Sequence, residues 1–359
     1  MAEALVLFGG PSPEHDVSVH TGLQAARTLG ASEALYWTRA NEFVIVDASL
    51  EGKDFADGVP RGAKPARITV GAGISAKGGL GREKAYDAVV VNCCHGGPGE
   101  DGTIQATLDL AGVPYTGPSV DGAAIGMDKL AFGAVCANAG IPVLPRAALN
   151  DASKPDFEGP YIVKPRFGGS SIGIDVVADL ETAWARLKSN SHLARGAVIE
   201  PYRPESVDLN VAVRAFPSLQ LSAIEEPTRG ASGDIYSYKE KYVGGEGMTK
   251  APREVPAKIS SALEDKLRAC AREAAQLASV RGVARIDFLH DGESLYLNEI
   301  NTIPGSLSWF LWVDPVVSFK QLLDDMIAEA LARPKPPYST AGADGSVLRN
   351  SASIASKLA

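Results

Sequence analysis

Residues Gly282 to Gly305 read Gly-Val-Ala-Arg-Ile-Asp-Phe-Leu-His-Asp-Gly-Glu-Ser-Leu-Tyr-Leu-Asn-Glu-Ile-Asn-Thr-Ile-Pro-Gly, and no other stretch restricts the fold as much. Apolar and polar residues alternate on both sides of His290-Asp-Gly, the pattern of two strands joined by a tight turn. Side chains alternate with period two, so Arg285 and Asp287 share one face, and Glu299 and Asn301 share a face of the partner strand. One face of the hairpin therefore gathers a cation and three oxygen ligands.

Asp287 and Glu299 at about 4 Å would repel by about 4 kcal/mol at an effective dielectric of 20, so a functional reading places a divalent cation between them. Carboxylate and amide oxygens suit magnesium, which keeps its other positions for water and nucleotide phosphates. The plainer alternative is a solvated face on which the carboxylates pair with Arg285.

The flanking chain supplies the setting. At 359 residues, 45% hydrophobic and 22% charged, it has the length and composition of a soluble globular protein with more than one core. A net charge of -8 argues against nucleic acid as a partner. No apolar run approaches the length of a membrane span, and the start lacks the basic flank of a secretory signal, so a cytoplasmic location is expected. The four cysteines, Cys93, Cys94, Cys136 and Cys270, read as reduced thiols, mostly buried.

Leu5 to Phe8 is a short apolar run followed by Gly9-Gly10, and Ser18 to Leu29 has apolar residues at helical spacing. The loop between them lacks the Gly-x-Gly-x-x-Gly of a dinucleotide site. Leu35 to Trp37 and Ala88 to Cys93 extend the pattern to a parallel sheet, with the glycine-rich Val70 to Gly81 as a surface excursion. Glu14 and His95 then fall in loops at the carboxyl ends of strands, where open α/β sheets place ligands. Met127-Asp-Lys129 opens a helix that Gly140 ends. Lys164 sits on a strand before Arg-Phe-Gly-Gly-Ser170-Ser171, a loop whose donors can wrap phosphate oxygens. The long polar stretch from Thr228 to Thr249 reads as a lid or binding segment. Helices follow over Ile259 to Leu277 and Phe319 to Leu331.

Taken together, these stretches resemble the D-alanine:D-alanine ligase family of the ATP-grasp superfamily, from about Leu5 to Leu331. The resemblance is carried by Gly9-Gly-Pro-Ser-Pro-Glu-His-Asp-Val-Ser18, His95-Gly-Gly-Pro-Gly-Glu-Asp-Gly102, Met127-Asp-Lys129, Lys164-Pro-Arg-Phe-Gly-Gly-Ser-Ser171, Lys241-Tyr242, Arg285-Ile-Asp287 and Glu299-Ile-Asn-Thr-Ile-Pro-Gly305, in the family's order. It implies an α/β ATP-grasp fold with a Rossmann-like N-terminal domain over 1–119, ATP-grasp subdomains over 120–206 and 207–333, and a mobile tail over 334–359.

The resemblance also implies roles. Lys129, Lys164, Lys241, Ser170 and Ser171 would hold ATP phosphates, Glu200 would reach adenine, and Asp208 lies near the family's ribose-binding glutamate. Asp287, Glu299 and Asn301 would hold two magnesium ions, with manganese as the alternative. Glu14, with Ser170 and Tyr242, would anchor the first amino acid, expected to be D-alanine; His95, Arg285 and Gly305 would complete the substrate site, and Arg285 would stabilise the oxyanion. No nucleic acid or membrane partner is expected, and the family's homodimer through its first domain is. One departure concerns the second amino acid. Phe310 stands where the family carries a hydroxyl for its carboxylate, so either Ser306 or Ser308 replaces that donor or the acceptor is not D-alanine.

Overall fold

The computed structural model describes residues 3–78, 82–152, 154–228, 253–333, 340–350 and 353. The expected lid, with Tyr236, Tyr238, Lys241 and Tyr242, lies outside the described residues, as does most of the expected tail.

Three sheets carry the chain. The first contains β1 (Glu3–Gly9), β2 (Glu33–Trp37), β3 (Phe43–Asp47), β4 (Lys64–Thr69), β5 (Gly73–Lys77), β6 (Glu83–Tyr86) and β7 (Ala88–Asn92), in the order β6-β5-β4-β3-β2-β1-β7. The expected parallel sheet exists only at β2-β1-β7; β3 to β6 extend it as antiparallel hairpins. The Val70 to Gly81 stretch is not simply a surface excursion, because it contains β5, where Ile74 and Ala76 alternate into the core at 1% and 3% exposure. Its glycines hid that strand: Gly71 and Gly73 take left-handed φ of 71° and 79° at the turn from β4.

Helix α1 (His15–Leu29) crosses from β1 to β2 and buries Val19, Leu23 and Ala26 against Phe8, Tyr36 and Phe55. On the opposite face α2 (Thr103–Ala111) buries Ile104 and Leu108 against Leu7, Leu35 and Ile74. Then come α3 (Val120–Met127) and α4 (Lys129–Asn138). The second sheet is antiparallel, order β10-β9-β11-β8, from β8 (Ala147–Leu149), β9 (Tyr161–Pro165), β10 (Asp175–Val177) and β11 (Ala197–Pro201); α5 (Leu180–Ser189) covers it.

The third sheet, order β14-β13-β12-β15-β16, is formed by β12 (Val207–Arg214), β13 (Gln220–Pro227), β14 (Arg253–Glu254), β15 (Val283–His290) and β16 (Leu295–Asn301). Helix α6 (Ser261–Leu277) buries Leu267, Ala271 and Ala274 with Leu209, Val211 and Phe288, so its apolar stripe is core. Helix α7 (Phe319–Ala332) returns to the first sheet's core, and the short α8 (Ser346–Arg349) is exposed. All four cysteines are free thiols, three of them buried. Among the described residues no helix is long and apolar enough to cross a membrane.

Strands β15 and β16 form the hairpin expected from the sequence, closed by a loop in which Asp291 accepts from the Glu293 and Ser294 amides. The turn from Gly305 to Leu311 then passes between the first and third sheets, burying Leu307 and Leu311 beside α1. Ser306, Leu307 and Ser308 in it all take left-handed φ of 48°, a conformation that costs non-glycine residues about 1 to 2 kcal/mol each.

Helix α1 reaches the sheet through Gly22, where an added Cβ would lie 2.3 Å from Phe8 Cβ. Gly22→Ala is therefore expected to destabilise the protein by about 1 to 3 kcal/mol through overpacking, despite the better helix propensity of alanine. A denaturant midpoint shifted downward would show it; an unchanged or higher midpoint would contradict the packing described.

Candidate active site

Antiparallel pairing aligns Glu225, Asn210, Asp287 and Glu299 across β13, β12, β15 and β16 in one row on one face of the third sheet. Arg285 and Asn301 face each other one step along. All six line one cavity. Arg285 grips Asp287 through Nε at 2.6 Å and Nη2 at 2.7 Å, and Asn301 Nδ2 donates to Asp287 Oδ2 at 2.9 Å.

Strict alternation would turn Asn298 away from this face. It does not, because β16 carries a bulge: Asp287 pairs with Glu299 and Phe288 with Leu297, leaving Asn298 as the extra residue. Asn298 Oδ1 accepts from Lys164 Nζ at 3.0 Å, and its carbonyl accepts from Arg146 Nη2 at 3.2 Å. The period-two pattern could not reveal this residue.

The lysines come from the elements before the third sheet. Lys164 on β9 meets Glu200 on β11 at 2.7 Å, with Glu200 only 1% exposed. Arg146 Nε lies 3.2 Å from the other Glu200 oxygen, a charge contact too bent to be a hydrogen bond. Burial alone would raise the Glu200 carboxyl, but Lys164 and Arg146 outweigh it and hold the group below the ordinary carboxylate range. Asp128 explains why Lys129 follows it: its carboxylate caps α4 at the Leu130 and Ala131 amides and takes Arg166 Nε at 2.8 Å and Nη2 at 2.5 Å. Lys129 is thereby fixed at the root of the glycine-serine loop, where its Nζ bonds the Gly168 carbonyl and lies 2.9 Å from Glu299.

Loops of the first sheet close the cavity. Glu14 follows β1, and its Oε1 accepts from Ser170 Oγ in the glycine-serine loop, where Ser170 and Ser171 have φ of 52° and 59°. Gly96 must be glycine here, with φ of 68° and room for no Cβ, since one would stand 2.6 Å from Glu14 Oε2.

His95 lines the cavity, yet both ring nitrogens serve the protein. Nδ1 donates to the Ile303 carbonyl at 2.6 Å, which fixes Nε2 as acceptor for the Thr21 hydroxyl at 2.8 Å. Burial lowers its pKa to about 4, so the ring is neutral. Glu100, quoted in the same loop but not singled out from sequence, accepts from the Ile303 amide at 2.7 Å and the Gly96 amide at 3.1 Å.

The cavity thus brings together Glu14, His95, Lys129, Lys164, Ser170, Ser171, Glu200, Asp208, Arg285, Asp287, Glu299, Asn301 and Gly305; Lys241 and Tyr242 lie outside the described residues. Sequence reasoning missed Arg146, Asn298, Asn210, Glu225, Arg253 and Glu100. Only Glu100 had a local signal, in its motif. The others become visible once strands are paired. Among the described residues no three His, Cys, Asp or Glu side chains converge as a metal cluster. Two carboxylates and an amide nevertheless match the donor set of a magnesium ion that shares its coordination with phosphates. Lys129 on Glu299 and Arg285 on Asp287 are the chain's own answers to the cation those carboxylates call for.

Known proteins share this organisation. A family model described as D-ala D-ala ligase N-terminus matches residues 3–118, and one described as D-ala D-ala ligase C-terminus matches residues 135–328. A D-alanine–D-alanine ligase of Mycolicibacterium gilvum is 34% identical over 365 residues, spanning 91% of this chain and 96% of the relative. One from a Bradyrhizobium is 31% identical over 353 residues, with 91% and 95% covered. The crystal structure of the D-alanine–D-alanine ligase of Helicobacter pylori superposes with a TM-score of 0.74 at 28% identity, covering 93% of this chain and 100% of that one.

Glu100 yields a pH prediction. Burial first, and then the charge of Glu14, raise its pKa from 4.5 to about 7. Between those values the folded protein keeps a proton that the unfolded chain has lost. Stability due to Glu100 is therefore full below about pH 4.5, declines as pH rises, and is gone once pH passes about 7, a span worth about 3 kcal/mol. The Tm advantage of the wild type over Glu100→Gln should shrink between about pH 5 and pH 7.5. A constant or growing advantage would show that Glu100 is ionised in the fold.

Proposed function

The chain belongs to the D-alanine–D-alanine ligase family, and from that premise we propose that its cavity joins two D-alanine molecules at the expense of ATP, releasing ADP and phosphate. The product is the dipeptide that peptidoglycan precursor synthesis consumes. The observation that carries this reading is convergence: the Glu14–Ser170 contact, both lysines and the Arg285–Asp287–Glu299 face meet in one cavity although they come from three sheets.

Lys129 and Lys164 hold the phosphates of ATP under the glycine-serine loop. Asp208 and the strand of Glu200 lie on the nucleoside side, and Glu200 itself keeps Lys164 in place. Glu14 takes the ammonium group of the first D-alanine, with Ser170 orienting it. The carboxylate of that D-alanine attacks the γ-phosphorus, the bond to ADP breaks, and an acyl phosphate results. The neutral amine of the second D-alanine then attacks the acyl carbon, the acyl–oxygen bond breaks, and phosphate leaves with that electron pair and the proton the amine sheds. Arg285, permanently charged and held in plane by Asp287, stabilises the oxyanion between these events. His95 and Glu100 act by holding the Ile303 backbone, and with it the Pro304-Gly305 edge of the substrate site. Asp287, Glu299 and Asn301 are the residues that would hold magnesium, whose charge would neutralise the phosphates being transferred.

ADP release on adding D-alanine as the sole amino acid tests the reading, with mass spectrometry of the dipeptide as the second readout. D-alanine-independent ADP release, or none, would contradict it. Glu299→Gln keeps the shape but removes a charge from the face and is expected to lower turnover on the order of 10²-fold or more. Turnover within a few-fold of wild type would remove Glu299 from the site.

A further inference from the structure

One charged group in the cavity has no place in the steps above. Arg253 begins β14, which pairs through Pro227 with the edge of the third sheet, and its side chain lines the cavity. Nη1 lies 2.8 Å from Glu225 Oε1, and the guanidinium sits over the Phe310 ring, 4.2 Å from its centre. Glu225 also accepts from Asn210 Nδ2 at 3.3 Å, and both belong to the row that runs on into Asp287 and Glu299. The side chains of Arg253 and Glu225 are 13% and 6% exposed, so this is a buried ion pair beside the reacting groups.

The second amino acid must bring its amine to the acyl carbon near Arg285, and its carboxylate enters with it. A carboxylate in so enclosed a place needs a cation or several donors. Lys129 and Lys164 are assigned above to the phosphates and Arg285 to the oxyanion, and Arg203 is exposed beyond β11. Among the cations of the described residues lining the cavity, Arg253 lies against the Gly305–Leu311 turn through the ring of Phe310. Neither serine of that turn lines the cavity, and Ser308 is 0% exposed. At position 310 the turn presents an aromatic ring with a guanidinium stacked on its face.

We propose that Arg253, seated on Phe310 and oriented by Glu225, binds the carboxylate of the second amino acid, an assignment that rests on the ligase reading given above. The planar fork of a guanidinium matches the two oxygens of a carboxylate, a geometry an ammonium does not offer. Glu225 is here a positioning residue and Phe310 a platform.

The test offers the enzyme a choice. With ATP and D-alanine as donor, D-alanine and D-alaninamide compete as acceptors, and mass spectrometry gives the ratio of the two dipeptide products. Wild type should favour the carboxylate acceptor, and Arg253→Gln should reduce that preference roughly tenfold or more while the KM values for ATP and for donor D-alanine stay within about twofold. Arg253→Lys, which keeps the charge but loses the fork, should fall between. The double variant Arg253→Gln with Glu225→Gln leaves no lone buried carboxylate and should match Arg253→Gln, so a folding defect in the single variant does not decide the matter. An unchanged product ratio in the double variant, or a change confined to the KM for ATP, would overturn the assignment. Absence of D-alanine-dependent ADP release from wild type would overturn the ligase reading and this assignment together, an outcome distinct from an unchanged ratio.

Discussion

The pairing of β15 with β16, interrupted by one bulge, is the constraint on which the site depends. It sets Asp287 against Glu299 and Arg285 against Asn301, and it turns Asn298 to the face where Lys164 waits. A row of carboxylates at the end of a buried sheet would be untenable without compensation, because an unpaired buried charge costs several kcal/mol. The rest of the structure supplies that compensation, with Arg285 on Asp287, Lys129 on Glu299, Lys164 and Arg146 on Glu200, and Arg253 on Glu225. Lys129 on Glu299, and the bond from Lys164 to Asn298, join elements remote in sequence, so groups that suit the chemistry also tie the second sheet and α4 to the third sheet. Binding a polyphosphate then becomes an exchange of partners within an existing set of pairs rather than the burial of new charge.

What the sequence disclosed follows from which interactions are local. The hairpin was legible because two strands and their turn lie within one short stretch, and alternation reports a face directly. Helices α4, α6 and α7 were legible for the same reason, through spacing and through the residues that end them. The bulge at Asn298 was not, since one extra residue leaves no mark on composition and only the partner strand defines it. Strand β5 was masked by the glycines that make its turns. Arg146, Glu225 and Arg253 were invisible because their meaning comes from partners across the sheet, and an arginine or glutamate in isolation reads as surface.

His95 shows the limit in another form. Its place at a strand end marked it as a site residue, and the structure does put its ring at the cavity. Yet the chain from the Ser306 amide to Thr21, from Thr21 to His95, and from His95 to the Ile303 carbonyl makes it a strut. Glu100 braces the same segment from the other side through the Ile303 amide and Thr302. Residue type and loop position predicted nearness to the chemistry. They could not distinguish a group that touches substrate from one that holds the backbone touching it.

That bracing bears on how the two halves of the reaction communicate. The loop after β7 lies against Glu14 at Gly96 and holds Ile303 through His95 and Glu100, so one loop touches both the residue proposed for the first amino acid and the turn proposed for the second. The turn is itself left-handed at three consecutive non-glycine residues, a conformation that persists only where its surroundings enforce it. Its enforcement comes from Thr21 on α1, from Leu307 and Leu311 in the core, and from the His95 and Glu100 struts. Phe310 emerges from the end of that turn with its ring under Arg253. A change of acceptor chemistry in such a protein does not require a new fold. On the assignment proposed for Arg253, such a change lies in the side chain at the end of this turn and in a cation on the neighbouring strand edge that meets it.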